Sequence, residues 1–458
     1  TDCFNLLLIF PCNFMNNLFT ITGFRRYIAN TSWLITEKII RLTVGLFVGV
    51  WVARFLGPEQ FGTLSYAQAF VGLFGSVATL GMDGIVIKHL VKDEGKRDQL
   101  LGTAFTLKLL SAMVVLAIIA IIAVNTSNDN NDIVLITIIA SALLFQSLNV
   151  IDFYFQSKVL SRNIVKVNLI SQLVVSSIRM SLILTNAPLI SFAYVILLDA
   201  IILAVGYIYV YKHNNLSFRQ WNFNKLTASE ILKYSWPLAL SGIVVSIYMK
   251  IDQIMIKEML GKLSVGHYAA AIKISEAWYF VPIVINSSLF PAIINAKKRS
   301  RKEFYKRLKI LYSFMLFSAV AISIPTTLYS KYIINLLYKE QYDQASTVLM
   351  FHIWAGVLVS LGVVTSSIVI ANNKQNNALI STSIGAVSNI ILNLIMIPRY
   401  GIIGAAFATI LSQIISGLIV PIYFRIDPYY PRILLDSIWA LPNEIKNHYS
   451  NKEHRVNS

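Results

Sequence analysis

Charged side chains are scarce in this chain, and several stand inside apolar runs where no water reaches them. Of 458 residues, 13% are charged and 56% hydrophobic, against roughly a quarter charged in soluble domains. Arg41, Arg179, Lys250 and Lys273 lie within long apolar runs, as do Asp199 and Glu276. Asp252 sits toward the end of the run that holds Lys250, and Asp83 closes another. Inside a bilayer such groups are costly and mark a transport path or a pair. At about 1.5 Å of rise per residue, Arg41 lies about 12 Å and Arg179 about 20 Å into their runs. The chemistry on offer is electrostatic. Cations that outnumber acids in low dielectric attract an anion, and a guanidinium grips phosphate oxygens with two parallel hydrogen bonds. Arg41, Arg179, Lys250 and Lys273 are therefore the candidate substrate site, suited to a phosphate or pyrophosphate headgroup. Asp199, Glu276, Asp252 and Asp83 are candidates for carrying a coupling proton or sodium ion, or for gating. Plainer pairings stand beside this reading: Glu37 with Arg41 and Lys273 with Glu276 at helical spacing, Arg179 with Asp199 between neighbouring helices, and Asp83 snorkelling to the interface.

Other chemistries find no support. There is no Gly-rich phosphate loop ending in Lys-Ser/Thr, no nucleophile elbow and no His/Cys cluster at metal-ligand spacing. The chain reads as a transporter and not an enzyme, with no catalytic residue, metal or cofactor expected. Without a phosphate loop it is no ATP-driven pump by itself. Its two cysteines, Cys3 and Cys12, suggest no disulfide framework. A net charge of +17 would suggest nucleic acid in a soluble chain. Here the basic residues gather in short segments between apolar runs, so membrane orientation accounts for them and no nucleic acid is implied.

The elements that position these residues are the apolar runs. About twelve are long enough to span, near residues 33–55, 61–87, 101–124, 132–156, 165–185, 188–211, 231–256, 264–294, 307–329, 345–371, 376–397 and 401–424. The loops between them alternate. One set is basic, with Lys88, Lys92, Lys96 and Arg97 in one loop and Lys297, Lys298, Arg299, Arg301 and Lys302 in another. The other set is nearly free of Lys and Arg, as in Asn125–Asp132 (NTSNDNND) and Thr185–Pro188 (TNAP), with Lys257, Lys262, Lys331, Lys339 and Arg399 as exceptions. The alternation places both termini in the cytoplasm with an even number of spans. The expected units are an N-terminal segment 1–32, a first lobe 33–211, a linker 212–230, a second lobe 231–424 and a tail 425–458. Residues 1–14 are read as upstream of a start at Met15, with a genuine interfacial segment as the alternative. In the tail, a short amphipathic helix is expected near 433–440 and disorder over 443–458.

Two finer patterns bear on the path. Ser65, Gln68, Gly72, Ser76 and Thr79 recur every three or four residues, with Asp83 next, and so share one helix face. That stripe is either a wall of the substrate path or a close helix–helix contact through small residues. Leu56-Gly57 with Gly62 is echoed by Leu260-Gly261 with Gly266. The echo suggests two parallel six-helix halves with a path between them at mid-membrane.

Several motifs, in order, resemble the Wzx-type flippases of O-antigen and other polysaccharide repeat units. They are Arg54-Phe-Leu-Gly-Pro-Glu-Gln-Phe-Gly62, Leu64-Ser65-Tyr66, Leu80-Gly81-Met82-Asp83-Gly84, Lys250-Ile-Asp252-Gln-Ile-Met and Ile397-Pro-Arg-Tyr-Gly-Ile-Ile-Gly404-Ala-Ala. The resemblance runs from about Trp33 to Tyr423. It implies the multidrug/oligosaccharidyl-lipid/polysaccharide exporter superfamily: an all-α polytopic membrane protein with two six-helix lobes around a central cavity, as in the multidrug (MATE) members, working by alternating access. The implied substrate is an undecaprenyl-pyrophosphate-linked oligosaccharide, flipped from the cytoplasmic to the periplasmic leaflet of a bacterial inner membrane. The implied partners are the polysaccharide polymerase and the chain-length regulator. Two other functions are weighed. A drug/cation antiporter on the same architecture would favour an acidic cavity, contrary to the basic excess. A membrane polymerase or acyltransferase would need a sizeable outer loop, and the outer loops are short.

Overall fold

The computed structural model describes residues 22–126, 129–372, 374–440 and 442. The expectations for a start at Met15, for residues 1–14 and for disorder over 443–458 fall outside these. Among the described residues the regular structure is helical: α1 (Thr22–Thr79), α2 (Asp83–Lys92), α3 (Arg97–Thr126), α4 (Asn130–Gln146), α5 (Val150–Ser157), α6 (Arg162–Leu184), α7 (Leu189–His213), α8 (Lys225–Leu260), α9 (Lys262–Glu276), α10 (Phe280–Arg299), α11 (Arg301–Leu328), α12 (Ser330–Tyr338), α13 (Asp343–His352), α14 (Ala355–Ala371), α15 (Gln375–Ile414) and, after a π-turn, α16 (Val420–Tyr423). A last helix covers 430–440, close to where the sequence suggests one. Some starts are set by single side chains. Asp129 accepts the Asn131 amide before α4, and Asn224 accepts the Thr227 amide before α8, each satisfying a helix N–H that lacks an internal partner.

Nine helical stretches among the described residues are long and apolar enough to cross a membrane, and ten if the pair Glu340–His352 and Ala355–Ala371, bent by 41°, is one span. Two of them are too long for a single crossing. The stretch Ser32–Lys92 has 61 residues, roughly 90 Å of helix against a hydrocarbon core of roughly 30 Å. It breaks at Gly57, where φ is 71° and ψ 170°, a region open essentially to glycine alone. Pro58 then starts the next arm with a fixed φ and no N–H to leave unpaired. The stretch Asn376–Tyr423 breaks likewise at Gly401. With each arm counted as a crossing, the number agrees with the sequence reading.

Some runs that read as single helices are jointed. The run 61–87 turns at Leu80-Gly81, both at positive φ, because Gly81 packs directly on the backbone of Ala239. The run 264–294 breaks between Glu276 and Phe280, where Trp278 and Tyr279 pack on Gly356. Large apolar side chains such as Ile121, Leu173 and Leu184 remain exposed along α3 and α6, as lipid contact requires.

Among the described residues the core has three parts. One cluster draws on both halves of the sequence, from Val48–Ala78 through Ile119, Leu135 and Tyr268 to Tyr342, Leu349 and Ala405. It lies near the turns at Gly57, Asp129, Gly261 and Gly401. The other two adjoin the basic loops and are separate. One joins Met82, Leu101, Phe155 and Tyr211, with Ile231 from α8; the other joins Phe304, Tyr312, Ile368 and Tyr430. The molecule thus shares one core at the end away from the basic loops and splits into two at the basic end.

Candidate functional site

A cavity of about 240 Å³ lies where both arms of α1 meet α6, α7, α8 and α9. Helical spacing puts its polar residues on inward faces. Ser65 and Gln68 are three apart on the second arm of α1, and Lys250 and Gln253 three apart on α8. Ala269, Ile272, Lys273 and Glu276 form one stripe of α9, and Arg179 enters from α6. Three cations therefore face one carboxylate. The Lys273 ammonium lies 5.8 Å from the Phe61 ring centroid, a cation–π contact. The arrangement can bind an anion; nothing in it resembles a nucleophile with its base.

Of the residues expected to form the cationic site, the fold brings Arg179, Lys250 and Lys273 together and leaves Arg41 outside the cavity lining. Arg41 is exposed and pairs with Glu37, Nη1 to Oε1, at 3.4 Å. Glu37 is buried and also accepts Asn168 Nδ2 at 3.0 Å, and Asn168 in turn accepts the Tyr207 hydroxyl at 2.9 Å. Glu37 thus holds Arg41 at the helix surface.

The acids disperse. Glu276 lines the main cavity. Asp199 accepts the Ser171 hydroxyl at 2.6 Å and is outside the lining. Asp83 opens α2 and pairs with Lys108 at 3.2 Å; a carboxylate there also suits the helix N-terminus. Asp252 is buried in a smaller cavity of about 20 Å³ beside Tyr248, Tyr268, His352 and Thr409, and Glu276 lines this one too. That volume holds about one water-sized guest. Asp252 accepts hydrogen bonds from Tyr268 Oη (2.8 Å), Thr409 Oγ1 (2.7 Å) and Asn393 Nδ2 (2.7 Å). Asn393 Oδ1 is buried with no partner. Sequence reasoning missed Asn389, Asn393 and Thr409. The signal that could have found them is a pair of amides four apart in an otherwise apolar run.

The stripe on α1 divides. Ser65 and Gln68 line the cavity. Gly72 packs against the stem of Lys250, Ser76 Oγ lies 3.1 Å from Ser246 Oγ of α8, and the Thr79 hydroxyl bonds back to the Ser76 carbonyl. One part of the stripe thus faces the cavity and the other packs against α8.

The end away from the basic loops is closed by polar contacts. Lys262 Nζ lies 2.6 Å from Asp129 and 2.8 Å from Asp132, the latter an ion pair by distance though not aligned as a hydrogen bond. Arg54 donates to the carbonyls of Leu336 and Leu337, and Tyr342 Oη donates to the Ala53 carbonyl at 2.8 Å. The Lys262 ammonium and the Asn131 amide hold the Asp129 carboxyl below its usual range.

Comparison with known proteins places this geometry. A family model described as polysaccharide biosynthesis protein matches residues 27–297, and one described as MatE matches 237–395. A relative in Haloferax volcanii, named "Probable low-salt glycan biosynthesis flippase Agl15", is 23% identical over 380 residues, covering 81% of this chain and 78% of its own. Among solved structures, the lipid II flippase MurJ in an inward closed conformation superposes with a TM-score of 0.70 at 16% identity, covering 93% of this chain and 99% of its own. An inward-facing MATE family multidrug resistance transporter of the MOP superfamily gives 0.68 at 16% identity, covering 86% and 95%.

Proposed function

From the premise that the chain belongs to the polysaccharide biosynthesis protein family, we propose that it is a flippase of the MOP superfamily and not an enzyme, and that it translocates an undecaprenyl-pyrophosphate-linked oligosaccharide. The substrate is an O-antigen or other polysaccharide repeat unit, taken from the cytoplasmic to the periplasmic leaflet of a bacterial inner membrane. The observation that carries this reading is the gathering of Arg179, Lys250 and Lys273 around the lone carboxylate of Glu276 in the cavity lining. That balance complements a diphosphate diester with about two negative charges, and it opposes a cationic drug.

In this mechanism the basic loops and both termini are cytoplasmic. The diphosphate enters from the end where the cores separate, and its lipid tail stays between helices in the bilayer. Arg179 on one side and Lys250 and Lys273 on the other draw the anion to mid-depth. The two sequence halves, 33–211 and 231–424, then rock so that the closure at Lys262, Arg54 and Tyr342 opens. Asp252 is the seat of a coupling ion. Three donors supply its carboxylate, and a proton or sodium ion entering the small cavity would take the place of one of them, next to the vacant Asn393 oxygen. Glu276 lines both cavities and so lies where the two events meet. The product passes to the polysaccharide polymerase and chain-length regulator.

The test is surface polysaccharide in a deletion strain carrying variants. Deletion removes the polymer and leaves lipid-linked units facing the cytoplasm. Arg179→Ala, Lys250→Ala and Lys273→Ala each lower export about tenfold or more, the loss of one charge-assisted contact, while Arg41→Ala does less. Normal polysaccharide in all three cavity variants would sink the reading.

A further inference from the structure

We propose that Gly49 is a positioning residue for the substrate site, a notch in α1 that seats the Lys273 ammonium where the diphosphate meets it. Lys273 belongs to α9, but its side chain runs across the cavity to α1. A methyl group placed at Gly49 would overlap Lys273 Nζ and lie 2.6 Å from its Cε. The ammonium therefore occupies the volume that any other residue at position 49 would fill. Phe61, from the second arm of α1, faces it from another side with its ring centroid 5.8 Å away. Lys273 is thus held between the two arms, and the other cation that shares the cavity with it from the first sequence half is Arg179. Two like charges fixed across a small space are an anion site waiting for its anion.

The notch is specific to one turn of the helix. Gly45, one turn earlier, has nothing within 4 Å of the corresponding methyl position, so its smallness seats nothing. At Gly49 the obstructing atoms are the far end of a flexible side chain. The substitution Gly49→Ala accordingly displaces the ammonium and leaves the helices in place. Its consequence is a misplaced charge in a folded protein.

The inference rests on the diphosphate reading of the cavity, and the experiment separates the two. Binding of undecaprenyl diphosphate is titrated calorimetrically onto the purified full-length chain in detergent micelles. The proteins are the unsubstituted chain, Gly45→Ala, Gly49→Ala, Lys273→Ala and the double variant Gly49→Ala/Lys273→Ala. Gly49→Ala and Lys273→Ala each weaken binding about tenfold. The double variant is no weaker than Lys273→Ala alone, since the notch acts only through the ammonium, and Gly45→Ala binds normally. Losses that multiply in the double variant would show a merely structural role for Gly49 and overturn the proposal. So would normal binding by Gly49→Ala when Lys273→Ala is weakened. If Lys273→Ala binds as well as the unsubstituted chain, the diphosphate reading falls and the notch with it.

Discussion

Lys262 carries the clearest consequence of a single side chain. With Lys257, Lys331, Lys339 and Arg399 it is one of the few basic residues in the other loop set, where orientation by charge does not explain it. The structure supplies the reason: its ammonium meets Asp129 and the buried Asp132. Replacing Lys262 with Ala leaves Asp132 buried without its counter-charge, a cost of about 2 kcal/mol. We expect Lys262→Ala to lower the melting temperature of the purified protein by several degrees; an unchanged melting temperature would remove this pair from the closure. The pH dependence follows from Asp129, whose carboxyl is held below its usual range. A depressed carboxylate contributes stability above its unfolded value and loses it as pH falls through the folded one. The part of the Lys262→Ala penalty that comes from Asp129 should thus be the same at pH 6 and pH 8 and shrink only below about pH 4. Arg41 makes the complementary point. Its count into the run is deep, yet Glu37, one turn away, holds it at an exposed surface.

The two turns that echo one another are the informative elements. Gly57 and Gly261 share one backbone conformation, with φ/ψ of 71°/170° and 87°/176°. The paired glycines five residues on, Gly62 and Gly266, each meet the other turn. A methyl at Gly62 would strike the Lys262 carbonyl, and one at Gly266 the Pro58 carbonyl. The sequence echo is therefore a contact as well as a repetition: each turn needs a bare backbone where the other crosses it. Because the obstruction is backbone and cannot swing aside, Gly266→Ala must push α1 and α9 apart, at about 1–3 kcal/mol. Thermal unfolding of Gly266→Ala should fall well below that of Gly45→Ala, which meets open space. Equal melting temperatures would mean that the two turns are not in contact.

For the molecule as a whole, the shared core and the polar closure lie at one end and the separated cores at the other. An anion drawn into the cavity can leave on the far side only if the closure parts. Cysteines placed by Asp129→Cys and Lys262→Cys, whose native side chains are 2.6 Å apart, should be joined by a short bis-methanethiosulfonate reagent, which forms a reducible disulfide with each thiol. The joined protein should stop exporting polysaccharide and recover when the link is reduced. Export at the normal rate by the linked protein would show that this closure does not open during transport.

Much of the fold was legible in order along the chain, because the properties that specify it are local. The length of an apolar run decides whether it can span, and the sign of a loop decides which loops share a side. Gly57-Pro58 marks a break in any context. The deep ionisable residues were legible as functional candidates for the same local reason, that lipid leaves them unsolvated. Which of them share one cavity was legible only in part, since the candidate site grouped Arg179, Lys250 and Lys273 but added Arg41 to them. Arg179, Lys250 and Lys273 come from three helices that only packing brings to one cavity, while Arg41 and Asp199 are taken up by Glu37 and Ser171. The space at Gly49 that Lys273 fills has no trace in composition or period, and of the donors to Asp252 only Asn393 leaves one, as half of a pair of amides four apart in an apolar run, while Thr409 leaves none. By itself the sequence determined a basic, many-spanning helical transporter with too many buried cations. The tertiary structure decided which of those cations face one another, because partnership between distant side chains is set by how helices pack, and spacing along the chain carries no record of it.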